Sequence, residues 1–291
     1  MYQSIFKAAL FKDRCVLVTG GGSGIGRCIA HELASLGARV CIVGRAQDKL
    51  DAVVAEIEAA GGRAHAYSCN IRDEAGVAAL VARVLAEHAR IDGLVNNAGG
   101  QFPAALKDIS AKGWEAVVQT NLTGGFLVAR ECLNQGMAAH GGAIVNIVAD
   151  MWGGMPGMGH SGAARAGMVN FTETAAFEWA QYGVRVNAVA PGYIASSGMD
   201  AYPPAMKATI RAFPSTLPLQ RFGTEAEISA AVLFLLSPAA AFITGTTLRV
   251  DGGRPNVRPG MPMAGVHPAQ APFDGFHLAA TPKVLRDPPG E

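Results

Sequence analysis

The chain has 291 residues, half of them hydrophobic, and a formal net charge of +1 with both signs interspersed; that length suffices for one large core, and the balance excludes the concentrated basic face of a nucleic-acid binder. No run approaches the 18 or so uncharged apolar residues of a membrane span, and "MYQSIFKAALFKDR" lacks the apolar core and cleavage site of a signal peptide. The five cysteines, Cys15, Cys28, Cys41, Cys69 and Cys132, are odd in number and scattered without CxxC spacing, which predicts reduced, buried thiols in a cytoplasmic protein and neither a disulfide framework nor a zinc site.

Short apolar runs alternate along the chain with longer segments of helical period, the pattern of repeated strand–helix–strand units. "RCVLVT" (14–19) reads as the first strand and 24–37 as the first helix. "ARVCIVG" is the second strand, followed by a helix over 46–60; "RAHAYSC" is the third, followed by the amphipathic "DEAGVAALVARVLAEHA". "DGLVNNAG" closes the fourth strand, a long helix covers about 110–139, and "GAIVNIV" is the fifth strand. A helix over 161–181, the strand "VRVNAVAPG", the helix "EAEISAAVLFLLS" and the strand "TLRVDGG" complete the order. Most strands are apolar throughout, as in a parallel sheet covered on both faces. The expected fold is α/β: a Rossmann-type doubly wound parallel sheet of about seven strands between two helical layers, in a single domain.

Two segments depart from that rhythm. Residues 193–222 follow a strand's carboxyl end, where open α/β sheets place ligand loops. Tyr193, Met199, Tyr202, Met206 and Phe213 there either line an acyl pocket or pack the loop down, and Lys207, Arg211 and Arg221 either meet phosphates or stay solvated. Residues 254–291 are Pro-rich and aperiodic, predicting an extension over the surface or a neighbouring subunit, or disorder; the domain proper is 1–253.

"TGGGSGIG" (19–26) follows the first strand and opens a helix. Glycines at 20, 24 and 26 permit a tight turn and close backbone approach to a pyrophosphate, and the helix N-terminus offers amide donors and the positive dipole end. Strand two ends in Gly44-Arg45 with no acidic residue at 43–45. A cation there suits the 2′-phosphate of NADP, where NAD needs a carboxylate for the ribose hydroxyl; otherwise Arg45 is a solvated residue opening a helix. Asn70 offers a short polar side chain to the adenine, and "NNAGG" (96–100) supplies compact backbone near the ribose, with Asn96 also suited to capping its turn.

These motifs together resemble the short-chain dehydrogenase/reductase family over about 11–253: Thr19-Gly20-x3-Gly24-x-Gly26, Asn96-Asn97-Ala98-Gly99, Asn121 in "NLTG", Asn146 in "IVNI", Pro191-Gly192 and Asp251-Gly252-Gly253. The resemblance implies an NAD(P) site drawing also on Ser23, Ile25, Ile71, Asn97, Ala98, Gly99, Pro191, Gly192 and Ile194, and a homodimer or homotetramer. It also implies hydride transfer assisted by Ser, Tyr, Lys and Asn. Of that set only Asn121 is present. The serine position falls on Val148 or Ala149, and the Tyr-x3-Lys pair falls on Ser161 and Arg165 in "HSGAARAG".

A serine hydroxyl is a far weaker acid than a phenol, and arginine cannot relay a proton. Losing a positioned general acid costs on the order of 10² to 10⁴ in rate. A conjugated enoyl thioester avoids the problem, because charge develops on an enolate oxygen that needs donors and positive field before it needs an acid. "GGQF", "ISAKGW", "TNLTG" and "HSGAARAG" resemble the peroxisomal trans-2-enoyl-CoA reductase and 2,4-dienoyl-CoA reductase branch. The expected catalytic set is therefore Asn121, Ser161 and Arg165, with Arg165 also on the nicotinamide ribose, NADP(H) as cofactor and an acyl-CoA as substrate.

Ser161 and Arg165 share one helix face at i, i+4 spacing. The proton comes from Asp150, His160, Tyr193 or water, although Asp150 also suits a solvated loop and His160 a packing role. "FDGFHLAATPKVLR" resembles the tails of bacterial terpenoid-alcohol dehydrogenases, so an alcohol or ketone dehydrogenase with an atypical donor is the alternative, and a binding protein without turnover the third reading.

Overall fold

The apolar run Cys15–Thr19 becomes β1 because no side chain along it needs water; all five residues are buried. In the computed structural model, which describes residues 1–258, 260, 265 and 270–286, β1 is an inner strand of one seven-stranded sheet. The other strands of the sheet are β2 (Arg39–Gly44), β3 (Arg63–Ser68), β4 (Gly93–Asn96), β5 (Gly142–Ile147), β6 (Val184–Pro191) and β7 (Thr247–Val250). All pairings are parallel and the order is β3-β2-β1-β4-β5-β6-β7. The chain leaves β1 toward one edge and returns through β4 toward the other, so a crevice opens between these two at their carboxyl ends.

The helices are α1 (Gly24–Ser35), α2 (Gln47–Ala59), α3 (Glu74–His88), α4 (Ala111–Val118), α5 (Gly124–Cys132), α6 (Ala138–His140), α7 (Gly159–Glu178), α8 (Lys207–Ala212) and α9 (Glu225–Leu236). Apolar side chains of α1, α2 and α9 fill one face of the sheet. Those of α3, α5 and the end of α7 fill the other. This is the doubly wound, three-layer fold that the alternating pattern predicts.

Two details differ from the sequence reading, and a third takes one of the paths it left open. The single helix expected over 110–139 is divided by π turns at Gln119–Thr123 and Leu133–Met137. Such turns insert a residue into the hydrogen-bond ladder, a feature no apolar period reveals. The edge strands β3 and β7 carry exposed positions, because each is flanked by a strand on one side only. Finally, the described part of the C-terminal segment lies against its own chain. Gly275 O accepts from Gln3 N at 2.9 Å, and the buried Phe276 ring packs on Tyr2 and His31. Further on, Arg211 in α8 donates to the carbonyls of Val284 and Arg286, and Asp200 accepts from Val284 N. Residues 259, 261–264, 266–269 and 287–291 of that extension lie outside the described residues.

Among the described residues no helix is long and apolar enough to cross a membrane, and no His, Cys, Asp and Glu group has the arrangement of a metal site.

Candidate active site

The turn from β1 into α1 is shaped by what its glycines lack. Gly20 and Gly24 have φ of +67° and +57°, the left-handed region where a Cβ is strained. A Cβ on Gly26 would stand 2.3 Å from Gly20 O and 2.4 Å from Asn97 Nδ2, so no side chain fits there. Ser23 precedes α1 in extended conformation, and its hydroxyl is not spent on capping. The first amides of α1 are thus presented at the crevice beside the exposed Ser23 and the half-buried Ile25. A backbone cradle closed to side chains and ending at a helix N-terminus fits a dinucleotide pyrophosphate.

The turn after β4 is tied to this cradle. Asn97 and Ala98 amides both donate to Thr19 Oγ1 at 3.0 Å, and Asn97 Nδ2 donates to Thr19 O at 3.0 Å and Gly20 O at 3.2 Å. The side chain of Asn97 therefore braces the glycine turn. Asn96 does not cap its own turn: its amide donates to Gly125 O and to Asn146 Oδ1, and Asn146 donates to Thr172. This buried chain links β4, β5, α5 and α7.

At the outer end of the crevice, Arg45 follows β2 with its side chain exposed. Among the described residues no carboxylate pairs with it. Asn70 Oδ1 accepts from Arg72 N and Nε, both at 3.3 Å, while Ile71 packs against Gly124. On the other side Pro191 and Gly192 end β6 against Asp251, and Ile194 is buried beside Gly223.

The first π turn brings Asn121 to the end of β4. Its Oδ1 accepts from Gly100 N and its Nδ2 donates to Gly100 O, both at 2.9 Å. Arg165, from α7, reaches the same place: Nη1 donates to Ile147 O at 2.6 Å, and Nη2 lies so close to Gly99 that a Cβ there would be 2.5 Å away. Burial pushes the guanidinium down to about 10, so it remains a cation at neutral pH. Its Nε is buried with no partner. A fixed cation with a spare donor, opposite the glycine cradle, fits a nicotinamide ribose.

Ser161 is fully buried one turn before Arg165, and its Oγ donates to Gln101 Oε1 at 2.7 Å. Of the two candidates for the family's serine position, Val148 is buried among Met168, Ala188 and Ala190 and Ala149 is half-buried, and neither offers a hydroxyl. His160 is buried edge-on to Phe102, with its Nδ1 accepting from Ser161 N at 2.8 Å. Its Nε2 consequently carries the proton and has no partner. Asp150 is not solvated: it is 7% exposed and held by Arg254 at 2.6 Å. Tyr193 stacks on Phe213 at 4.0 Å, with Arg254 over its ring. Arg221 is half-buried and doubly bonded to Glu227, so it is not a free solvated charge, whereas Arg211 is exposed and donates to carbonyls of the tail.

Sequence reasoning missed two residues here. Gln101 meets Ser161 across 60 positions of chain, a pairing without a local signal. Glu225, at the start of α9, is buried near Gly24, and burial raises its carboxyl to about 7, with Asp274 adding to the rise and Arg27 opposing it.

The parallel sheet, the glycine cradle and the paired residues on α7 define an oxidoreductase of nicotinamide-binding type. The family model described as enoyl-(acyl carrier protein) reductase matches residues 20–254. A solved structure from Pseudomonas aeruginosa PAO1, described as a citronellol catabolism dehydrogenase (AtuB), is 56% identical, with 87% of this chain and 99% of that chain covered and a TM-score of 0.79. A 3-oxoacyl-(acyl-carrier-protein) reductase of Synechocystis sp. is 42% identical over 81% of this chain and 95% of its own. The "Probable 2,4-dienoyl-CoA reductase ((2E)-enoyl-CoA-producing)" of Bacillus subtilis is 35% identical over 84% and 97%. The chain belongs to the short-chain dehydrogenase/reductase family, whose members bind NAD or NADP.

Proposed function

We propose that this protein reduces a conjugated enoyl or dienoyl thioester, with a coenzyme A ester as substrate and NADPH as hydride source. One observation carries the reading: a half-buried guanidinium and a buried serine hydroxyl occupy the face of α7 where the family places an ammonium and a phenol. When bound, the reduced nicotinamide supplies hydride to the β-carbon. The electron pair displaced from the double bond then lodges on the thioester oxygen; Arg165 provides positive field for that charge, and Ser161 a donor once its hydroxyl turns from Gln101 to the substrate. Asn121 holds Gly100 in place beside them, and the spare Nε of Arg165 takes a ribose oxygen. Exposed Arg45 selects the 2′-phosphate. The reading extends to a cytoplasmic homo-oligomer, dimer or tetramer, in which 1–253 form the NADP-binding domain and 254–291 an extension.

A second reading, an alcohol or ketone dehydrogenase, is favoured by the 56% identity to a protein described as a dehydrogenase of citronellol catabolism. Following NADPH absorbance with crotonyl-CoA, a longer trans-2-enoyl-CoA, a 2,4-dienoyl-CoA and a panel of ketones and aldehydes separates the two. Oxidation with the unsaturated thioesters alone is expected. Oxidation with carbonyls alone transfers the assignment to the second reading, and NADPH binding without any oxidation leaves a binding protein.

A further inference from the structure

A phenol stands close to Ser161, although it is not on α7. Gln101 Oε1 accepts from Ser161 Oγ at 2.7 Å, and Gln101 Nε2 donates to Tyr202 Oη at 2.8 Å. One carboxamide thus joins the face of α7 to the loop that follows β6. The partners of the phenol oxygen show where its proton is directed. Tyr202 oxygen is taken by Gln101, and its own O–H meets only Met158 Sδ at 3.9 Å, a weak acceptor. The proton is therefore held by nothing that competes with a substrate.

The other groups near the crevice are committed elsewhere. Asp150 answers Arg254, Tyr193 is clamped between Phe213 and Arg254, and the His160 Nε2–H is sealed in the interior beneath Phe102. Tyr202 is half-buried and Gln101 exposed, so solvent reaches this pair and can restore a lost proton.

We infer that Tyr202, positioned by Gln101, is the proton donor of this site, delivered from the substrate loop to the neighbourhood that the family serves from α7. The inference rests on the enoyl-thioester reading for the atom that is protonated. After the β-carbon gains its hydrogen, the pair on the enolate oxygen returns to the carbonyl carbon, and the π pair of the enolate C=C forms the bond between the α-carbon and the phenolic proton. The Tyr202 O–H bond breaks, the thioester carbonyl re-forms, and the phenolate recovers a proton from water. Gln101 is a positioning residue: it fixes the phenol oxygen and, through its other end, the Ser161 hydroxyl.

The test uses the full-length enzyme with NADPH and a trans-2-enoyl-CoA in deuterated water. Wild type is expected to place deuterium on one face of the α-carbon. Tyr202→Phe is expected to keep NADPH affinity, to lose on the order of 10²-fold in kcat, and to yield product deuterated on both faces, because water replaces the fixed donor. Gln101→Leu is expected to lower kcat less and to blur the facial preference in the same direction. A Tyr202→Phe enzyme that stays within twofold of wild type and still deuterates a single face overturns the inference, as does Gln101→Leu with full facial preference. If wild type reduces carbonyls alone, the substrate reading fails while the donor is still read: a similar loss in Tyr202→Phe on that carbonyl sustains it, and an unchanged rate overturns it. Binding of NADPH with no turnover on any acceptor overturns both.

Discussion

The glycine turn after β1 and the wall formed by Ser161, Arg165 and Gln101 face one crevice but are made of different material. The turn is backbone: its shape follows from two positive φ values and from a position, Gly26, where a Cβ would stand 2.3 Å from a carbonyl oxygen. The wall is side chain, assembled from α7, the segment after β4 and a loop 101 residues further along the chain. Such a backbone site tolerates little change: a Cβ at Gly20 or Gly26 strikes main chain, and at Gly24 the positive φ opposes one. A side-chain site can exchange its chemistry while the frame stays put, and here a guanidinium and a hydroxyl stand on a helix face that the fold holds unchanged.

The sharpest way to probe this contrast is at Gly26. Gly26→Val should abolish measurable NADPH binding in a fluorescence titration, because the new carbons overlap Gly20 O and Asn97 Nδ2; a thermal melt should also show the roughly 1–3 kcal/mol cost of overpacking. A variant that binds NADPH normally would break the claim that the cradle is backbone-limited. Arg165→Met comes next. It removes the fixed cation and leaves Ile147 O unpaired, so kcat/KM should fall by about 10²–10³, with a smaller loss for Ser161→Ala. Equal, small losses in both would mean that the wall is structural only. Arg45→Asp should then reverse the preference for NADPH over NADH by roughly tenfold or more, read from the two Kd values.

Glu225 offers the smallest effect and tests whether side chains intrude on the backbone site at all. Its carboxyl is raised to about 7 by burial, so the folded protein holds that proton more tightly than the unfolded chain does. The sign follows: the stability tied to this proton is fully present below the ordinary carboxylate range and is lost as pH rises through about 7. The same ionisation places a negative charge near Gly24, so NADPH affinity should weaken a few-fold on crossing that pH. Glu225→Gln should flatten both slopes, in a melt series and in a pH series of binding titrations; slopes that persist would assign them to another group.

What the sequence made legible follows the same divide. Strands that are apolar throughout and a glycine turn opening a helix leave local, periodic signals, and the doubly wound parallel sheet and the cradle were readable from them. Ser161 and Arg165 were readable as well, since one helical turn of spacing places them together. Gln101 was not, because its partners lie 60 and 101 positions away. The Asp150–Arg254 pair spans 104 positions, which is why a loop aspartate read as solvated is in fact buried. The π turn at Asn121 escaped for another reason: an inserted ladder residue leaves the apolar pattern almost untouched.

The hold of Arg211 on the carbonyls of Val284 and Arg286, with Asp200 gripping Val284 N, has a temporal consequence. Any opening of this loop must break those bonds, so the lifetime of a product complex is expected to depend in part on contacts far from any reacting atom. Shortening the protein after residue 280 should quicken departure and leave each chemical turnover unaltered, a separation of clocks that a single-turnover trace set beside a steady-state one would register.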